Sequence, residues 1–263
     1  MVMGILNVTP DSFSDGGLHD APALALARAE RMISEGADII DVGGESTRPG
    51  AEPVAADEEI SRILPVVEQL RSRWGGLISV DTMKPDVAET ALKAGADIVN
   101  DVSGLRDRRM IDVCVAAGCG VVVMHMQGEP RTMQAAPLYE DVVGEVREFF
   151  LQRHRELTAA GIDPESLVYD PGIGFGKAYH HNLELLRETR SLSPEGRPVL
   201  IGLSRKRFLA TALESESMEE RDWPTVALTA WTRESGAMIH RVHEVRPNRE
   251  ALRMIEAVVN LGR

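Results

Sequence analysis

The sequence predicts an α/β fold in which eight parallel strands, each followed by a helix, close into a (β/α)8 TIM barrel. Apolar, β-branched segments alternate with helical patterns eight times along the chain, an order that buries a parallel sheet beneath helices. The length of 263 residues is close to the roughly 250 residues typical of such a barrel. An open doubly wound sheet is the alternative, disfavoured because no GxGxxG turn follows the first apolar segment.

The predicted strands are short, and a helical pattern follows each of them. Strands are expected near residues 2–8, 37–43, 77–81, 97–101, 119–125, 167–170, 198–203 and 237–243. Helices are expected near residues 21–35, 57–73, 85–94, 107–117, 139–160, 181–190, 224–236 and 247–261. Pro85 and Pro224 fit first-turn positions, where the missing backbone N–H is not needed. No clear linker divides residues 1–263, so a single domain is predicted.

One short unit recurs where a predicted helix is followed by a strand. It places a glycine after the last helical residue and an apolar segment soon afterwards, at Gly36, Gly95, Gly118 and Gly236. Glycine readily adopts the left-handed conformation that ends many helices. The unit therefore predicts helix C-caps at these four positions.

Composition excludes several classes of function. A net charge of −12 and an aromatic content of 4% argue against nucleic acid, which requires basic surface and, for single strands, stacking rings. The longest apolar segments are too short to cross a bilayer and no basic, apolar leader is recognisable, so we expect no membrane partner and a cytoplasmic location. Cys114 and Cys119 have neither zinc nor redox spacing and are predicted to be buried by packing.

Polar residues collect where the predicted strands end. Asp81, Asn100 and Asp170 end the third, fourth and sixth strands, and in a parallel barrel these ends form the active face. Each aspartate could instead cap the next helix. Convergence of all three favours a pocket for a planar, donor-rich ligand with a cyclic guanidine edge, such as a pterin, because one carboxylate accepts two parallel hydrogen bonds from that edge.

Basic residues at the strand ends form a second candidate group. Arg48, Lys206, Arg241 and His243 follow the second, seventh and eighth strands, and together they suit phosphate or pyrophosphate. The alternatives are that residues 205–207 form one solvated basic run and that His243 is only hydrogen-bonded within the fold. In an acidic chain an anionic ligand requires such a local basic cleft.

These residues belong to a set of motifs that resembles the dihydropteroate synthase family. The motifs run the length of the chain in family order, and the ordered set is specific although single motifs are weak. They are MGILNVTPDSFSDGG at 3–17, GGESTRPG at 43–50, SVDT at 79–82, VND at 99–101, DPGIGFGK at 170–177, HNLELL at 181–186, SRK at 204–206 and RVH at 241–243. Two local departures, Glu244 where Asp is usual and Trp223-Pro224-Thr225 where Gly-Thr or Gly-Ser is common, involve no proposed ligand contact.

The resemblance implies an enzyme that condenses 6-hydroxymethyl-7,8-dihydropterin diphosphate with p-aminobenzoate, giving 7,8-dihydropteroate and pyrophosphate in folate biosynthesis. The residues implied to hold the pterin are Asp81, Asn100, Met124, Asp170, Lys206 and Arg241. Those implied to bind the diphosphate are Asn7, Arg48, Arg241 and His243, with Mg²⁺ shared between that group and Asn7. A homodimer formed through the last helices is also implied.

The same resemblance assigns the second substrate to loops. The first two loops, through Asp11, Phe13, Ser14, Thr47, Arg48 and Pro49, are implied to close over the site and shape the p-aminobenzoate pocket. Phe175, Ser204 and Lys206 are implied to complete that pocket. Asn7 is then expected to be fixed at the barrel rim, with residues 11–17 as a mobile lid.

The groups themselves favour a dissociative, SN1-like displacement. Pyrophosphate leaves readily once Mg²⁺ and guanidinium groups neutralise its charge, and Asp81 and Asp170 would stabilise the electron-deficient methylene that remains. With Lys206 and Arg241 they form the predicted catalytic set, and no nucleophilic side chain is required. Two alternatives stay open: a pterin-dependent methyltransferase acting on a corrinoid, which has no reason to keep the pyrophosphate-binding residues, and a non-catalytic pterin-binding paralogue.

Overall fold

The computed structural model describes residues 1–9, 21–46, 52–128, 133, 137–215 and 217–259, and the described strands form one parallel sheet. The strands are β1 (Val2–Asn7), β2 (Ile39–Gly43), β3 (Leu77–Asp81), β4 (Ile98–Asp101), β5 (Gly120–Met124), β6 (Leu167–Asp170), β7 (Leu200–Ile201) and β8 (Ile239–Val242). Their order in the sheet is β6-β5-β4-β3-β2-β1-β8-β7. A bridge between Tyr169 and Val199 joins the two outer strands, so the sheet closes and the predicted barrel is confirmed.

Helices surround the barrel. Within the described ranges they are α1 (Ala21–Ser34), α2 (Ala56–Arg73), α3 (Pro85–Lys93), α4 (Arg108–Ala117), α5 (Val142–Ala159), α6 (Tyr179–Arg187), α7 (Arg207–Leu213), α8 (Asp222–Glu234) and α9 (Val245–Val259). All but α7 match a predicted helix to within a few residues. None of the described helices is both long and apolar enough to span a membrane.

The region around β7 differs most from the prediction. The strand covers only Leu200–Ile201 instead of residues 198–203, because Pro198 has no N–H to donate to a ladder and Val199 forms a single isolated bridge. Helix α7, which was not predicted, follows it. Its apolar segment spans only two turns, too short to show a helical period in the sequence.

The four predicted glycine caps are confirmed. Gly36, Gly95, Gly118 and Gly236 have φ values of 97°, 109°, 61° and 107°, a region that side chains with a Cβ rarely adopt. Each glycine turns the chain from the end of one helix into the following strand. The repeated sequence unit is therefore a repeated structural unit of the barrel.

Two of these units carry an aspartate that closes the amino-terminal end of the barrel. The carboxylate of Asp38 accepts the Val2 backbone N–H at 2.7 Å and Arg249 Nη1 at 2.9 Å. The carboxylate of Asp97 accepts the Ile78 N–H at 2.8 Å and also pairs with Arg71. In both cases a carboxylate accepts a backbone N–H near the start of a neighbouring strand.

The barrel interior has an apolar lower part and a polar upper part. Alternate residues of the strands point inward, and low in the barrel they form an apolar cluster of Met3, Ile39, Val122, Leu200 and Ile239. The residues that follow on the same inward face are polar on several strands, among them Asp41, Ser79, Asp81, Asn100, Asp170 and Arg241. The outward residues pack against the helices in the main core. The fold thus collects buried polar groups at the carboxyl ends of the strands.

Candidate active site

Four neighbouring strands bring their last inward residues to one level. Asn7 of β1 is in register with Gly43 of β2, Gly43 with Asp81 of β3, and Asp81 with Asn100 of β4. A Cβ on Gly43 would lie 3.4 Å from the Asp81 Cβ and 3.8 Å from Asn7 Oδ1. The glycine therefore keeps open the space between two of the predicted ligand residues.

An ion-pair network fills the barrel just below this level. Arg241 donates from Nε to Asp41 Oδ2 at 2.6 Å and from Nη2 to Asp81 Oδ2 at 2.5 Å. The Asn100 amide donates to the same Asp41 oxygen at 3.2 Å. This contact uses one of the two N–H groups of the Asn100 amide, so its carbonyl oxygen and its second N–H remain to be offered to a ligand.

The network holds more negative than positive charge. Burial raises the pKa of Asp81 to about 7; Arg241 opposes that rise, while the carboxylates of Asp41, Glu59 and Asp101 add to it. Burial lowers the pKa of Arg241, but Asp41 and Asp81 outweigh it, so that pKa is raised overall. A ligand that donates hydrogen bonds or develops positive charge would relieve this excess.

Several buried acceptor or donor atoms in this region have no partner in the described part of the chain. They are Asp41 Oδ1, Ser79 Oγ and Asp81 Oδ1. Unpaired buried polar atoms cost roughly 1–3 kcal/mol each. Such atoms at the mouth of a barrel indicate a binding site more strongly than a structural role.

Asp170 and Lys206 form the other side of the pocket. One oxygen of Asp170 accepts the Gly172 N–H at 2.7 Å; burial raises the pKa of this carboxyl and Lys206 opposes that rise. Lys206 Nζ donates to the carbonyl of Ile173 and lies 4.4 Å from the centre of the Phe175 ring. Burial lowers the pKa of Lys206 to about 8, and Asp170 opposes that shift.

The basic run 205–207 is not one solvated face. Arg205 has a positive φ of 58° and pairs with both oxygens of Asp222, at 2.7 and 2.8 Å, and with Glu244 at 3.0 Å. Arg207 is exposed, whereas Lys206 turns into the pocket. The left-handed backbone of Arg205 is held in place by Asp222, the first residue of α8, and by Glu244, which directly precedes α9.

The remaining described site residues border the same mouth. The ring of His243 lies 2.9 Å from Ser204 Oγ, so residues predicted for different substrates are in direct contact. Met124 is buried in a cluster with Val102, Met126 and Met133, against which Phe175 packs. Of the other predicted residues, Phe13, Thr47, Arg48 and Pro49, like the expected lid at 11–17, lie outside the described residues.

The stem of the second loop is fixed by a buried carboxylate cluster. Lys84 Nζ donates to Glu45 at 2.6 Å and to Glu59 at 2.5 Å. Glu45 also accepts the Val54 N–H at 2.9 Å. Residues 45 and 54 are thereby joined at the base of the loop that contains the STRPG motif.

Sequence reasoning missed two interior residues. Asp41 and Ser79 precede the strand ends by two residues, and the prediction considered mainly the last one or two residues of each strand. Their inward parity with Gly43 and Asp81 is the signal that identifies them. Cys114 and Cys119 are buried and free, as predicted.

Fold and site together define a closed parallel barrel whose carboxyl end collects buried carboxylates short of donors beside basic groups. The sequence model of the pterin binding enzyme family matches residues 3–243 of this chain. The chain therefore belongs to this family. The dihydropteroate synthase of Escherichia coli strain K12 is 45% identical over 259 residues, covering 98% of this chain and 92% of that protein.

Solved structures agree with this family. A dihydropteroate synthase from Xanthomonas albilineans with 4-aminobenzoic acid superposes with a TM-score of 0.93 at 44% identity, covering 98% of this chain and 93% of that one. The Xanthomonas albilineans enzyme in complex with 7,8-dihydropteroate superposes with a TM-score of 0.90 at 42% identity, covering 98% and 93%. The family that the sequence motifs resemble is thereby confirmed.

Proposed function

We propose that this protein is a transferase that joins 6-hydroxymethyl-7,8-dihydropterin diphosphate to p-aminobenzoate, releasing pyrophosphate and 7,8-dihydropteroate for folate synthesis. The observation that carries the proposal is the convergence of Asp81, Asn100 and Asp170 beside Arg241 and Lys206. These residues offer acceptors to a pterin and cations to its diphosphate. The relatives with 4-aminobenzoic acid and 7,8-dihydropteroate support both halves of the reaction.

The side chains suit a dissociative displacement. Arg241 is oriented by Asp41, so its guanidinium can offset charge on a departing diphosphate without reorganising. Asp81 and Asp170, both buried, would stabilise positive charge on the pterin methylene after the bond to oxygen breaks. The amine of p-aminobenzoate then attacks that carbon and loses its proton. No step requires a side chain as nucleophile, so a covalent pterin adduct seen by mass spectrometry would contradict this scheme.

The p-aminobenzoate subsite is proposed beside Phe175, Ser204 and Lys206. The Lys206 ammonium lies over the Phe175 ring at 4.4 Å, so one charged group faces both an apolar wall and the Asp170 side of the pocket. A carboxylate-bearing aromatic amine matches this pairing of ring and cation. We propose that Ser204 and His243, joined at 2.9 Å, separate this subsite from the diphosphate subsite.

Mg²⁺ fits the donor set only together with the substrate. Asn7 lies at the level of Asp81 and presents a hard amide oxygen, but the described residues contain no group of three or more His, Cys, Asp or Glu able to hold a metal. We propose that Asn7 and the diphosphate oxygens would share the ion. When bound, Mg²⁺ would supply charge neutralisation for the leaving pyrophosphate.

The experiment is direct. Purified protein is mixed with the pterin diphosphate, p-aminobenzoate and Mg²⁺, and pyrophosphate and dihydropteroate are measured. Production of both in equal amounts is expected. Absence of both would overturn the proposal, and methyl transfer from a methylated folate to a corrinoid would favour the methyltransferase alternative.

We propose a homodimer formed through α8 and α9. Trp223 and Trp231 of α8 are 77% and 54% exposed, and Met254 and Val258 of α9 are 67% and 65% exposed. These two helices pack against each other, so the four side chains suit a second copy of the chain. Sedimentation should show a dimer that Trp231→Glu dissociates, while Leu138→Glu, at another exposed apolar position, has no effect; a monomeric wild type would contradict the proposal.

We also propose a cytoplasmic location. Cys114 and Cys119 are both free and buried, with Cys119 Sγ 3.9 Å from the Cys114 carbonyl. Unpaired thiols are typical of reducing compartments. Fractionation of the source cells, with detection of the protein by antibody, tests this location.

A further inference from the structure

The loop after β6 has a backbone that only a specific sequence permits. Gly172, Gly174 and Gly176 have φ values of 65°, 81° and 61°. A Cβ on Gly172 would overlap the carbonyl oxygen of His125, and one on Gly176 would overlap that of Gln127. The loop is therefore folded closely onto the residues that follow β5.

Lys177, the last residue of this loop motif, has no part in the reaction as described so far. Its side chain is buried, and Nζ lies 3.0 Å from the Phe175 carbonyl, 3.3 Å from the His125 carbonyl and 3.0 Å from His125 Nδ1. An ammonium has three N–H donors, so these three acceptors satisfy it completely. The contacts join the loop that carries Phe175 to the segment after β5.

The hydrogen-bond partners of Lys177 are unusual for a buried cation, because all three are uncharged. Among the described residues no carboxylate lies within ion-pair distance of it, and burying a cation without such a partner is costly. Burial lowers the pKa of Lys177 to about 7, and Asp170 opposes that shift. Burial and the Lys177 charge lower the pKa of His125 to about 2, which leaves its ring neutral and able to accept at Nδ1.

Other contacts hold the two glycines that flank Phe175. Asn182 accepts the Gly174 N–H at 2.7 Å, and Tyr139 donates to the Gly176 carbonyl at 2.8 Å. A fixed carbonyl at residue 175 sets the peptide plane that follows Phe175, and the Phe175 N–H, which donates to the Gly172 carbonyl, sets the plane that precedes it. That ring is the one beneath the Lys206 ammonium.

We propose that Lys177 is a positioning residue for the second substrate, whose ammonium fixes the Phe175 wall of the p-aminobenzoate subsite by tying the Phe175 carbonyl to His125. The inference rests on the proposed function for the identity of that substrate. It predicts that loss of the ammonium weakens p-aminobenzoate use more than pterin use. Substitution of a residue needed only for general stability would change the KM values of both substrates alike.

The main test compares Lys177→Met, which removes the ammonium and keeps an unbranched side chain of nearly the same length, with Lys93→Met at an exposed lysine on α3. Lys177→Met should raise the KM for p-aminobenzoate about tenfold, corresponding to about 1.4 kcal/mol, with a much smaller change in the KM for the pterin diphosphate. Lys93→Met should match the wild type. Equal changes in both KM values, or none, would overturn the proposal.

A double-mutant cycle tests whether Lys177 acts through Phe175. In a Phe175→Ala background, Lys177→Met should add little to the KM for p-aminobenzoate, because the wall it positions is already removed. Fully additive effects would contradict the mechanism. If Lys177→Met does not fold, two variants of His125 take its place. His125→Asn keeps an acceptor near the position of Nδ1, whereas His125→Leu removes the acceptor. Only His125→Leu should raise the KM for p-aminobenzoate.

Amide hydrogen exchange on the free protein separates this inference from the proposed function. The Phe175 N–H donates to the Gly172 carbonyl at 2.9 Å, and Lys177→Met should speed its exchange even if the wild type forms no dihydropteroate. Unchanged exchange across residues 172–177 would show that the ammonium does not fix this loop. If the wild type is inactive but amide exchange is faster in Lys177→Met, only the proposed substrate would be wrong, and the role of Lys177 in fixing the loop would stand.

Discussion

The two ends of the barrel use aspartate in opposite ways. At the amino ends of the strands, Asp38 and Asp97 each accept a strand N–H and pair with an arginine. At the carboxyl ends, Asp41 and Asp81 share the single Arg241, and each keeps one buried oxygen without a partner among the described residues. The same residue type is satisfied at one end and left short of donors at the other.

The difference shows which end of the barrel has hydrogen-bond acceptors left for a ligand. A carboxylate that already has its donors contributes stability, whereas one held short of donors costs stability and gains it back when a ligand supplies them. The amino end of the barrel is therefore expected to govern folding, and the carboxyl end is expected to govern catalysis. Substitutions at matched positions can separate the two roles.

Replacement of Asp81 should have the largest effect on activity. Asp81→Asn removes negative charge that would stabilise the pterin cation, and we expect kcat/KM to fall by about 10²–10³-fold, the scale seen when one preorganised electrostatic group is lost. The free energy of unfolding should stay the same or rise at neutral pH, since the variant removes a poorly compensated buried charge. Steady-state kinetics and urea unfolding measure the two quantities. Wild-type activity, or a large loss of stability, would place Asp81 with the amino-end aspartates.

Replacement of Asp41 should move the pH profile. The pKa of Asp81 is raised to about 7, so its ionised form is populated only above that pH, and kcat/KM for the pterin diphosphate should rise through about pH 7. Asp41→Asn removes one of the carboxylates that raise this pKa and leaves the charges of Arg241, Glu59 and Asp101 in place, so the acid limb should shift to lower pH. The variant should also lose about tenfold in kcat, because Arg241 is less firmly oriented. Rates measured from about pH 5 to about pH 9 test this, and an unmoved limb would mean that Asp81 is not the titrating group.

The Asp81 titration has a matching signature in stability. A carboxyl group whose pKa is raised on folding binds its proton more tightly in the native state, so its contribution falls as pH rises from the unfolded value toward about 7. Asp81→Asn should flatten that part of the stability curve. The comparison of urea midpoints for the two proteins across this range checks the sign.

Replacement of Asp97 should have the smallest effect on activity but a clear effect on folding. Asp97→Asn weakens the bonds to the Ile78 N–H and to Arg71, and we expect a loss of about 1–2 kcal/mol in the free energy of unfolding with little change in kcat. Asp112→Asn on α4, where Asp112 pairs with exposed Arg108 at 3.0 Å, is the control and should change stability by less than about 0.5 kcal/mol. An activity loss for Asp97→Asn that exceeds its stability loss would break the division between the two ends.

Much of the fold was predictable because its signals are local. Glycine caps, first-turn prolines and short apolar strands each depend on a few neighbouring residues, and the structure confirms the cap glycines and the barrel they belong to. The extent of β7 and the existence of α7 were not predictable. Pairing of Val199 depends on a strand far away in sequence, and α7 is too short for its period to be recognised.

The candidate site divides in the same way. Asp81, Asn100 and Asp170 could be named because each is the last or next-to-last residue of an apolar strand. Asp41 could not, because its position within an apolar strand does not reveal that Arg241 and Asn100 meet it in the barrel. Lys177 was visible only as a letter of the DPGIGFGK motif, and its contacts with His125 depend on how the loops after β5 and β6 fold together.

The sequence by itself determined the alternation of strands and helices outside the region of β7 and α7, the polar residues near the ends of most strands and the family whose motifs they form. These follow from short-range periodicity and from side-chain chemistry that is written residue by residue. Only the tertiary structure decided which groups share a charge or a donor, such as Asp41 with Asp81 around Arg241 and Lys177 with the ring of His125. Those pairings join residues far apart in sequence, and they exist because closure of the barrel brings the strand ends to one mouth.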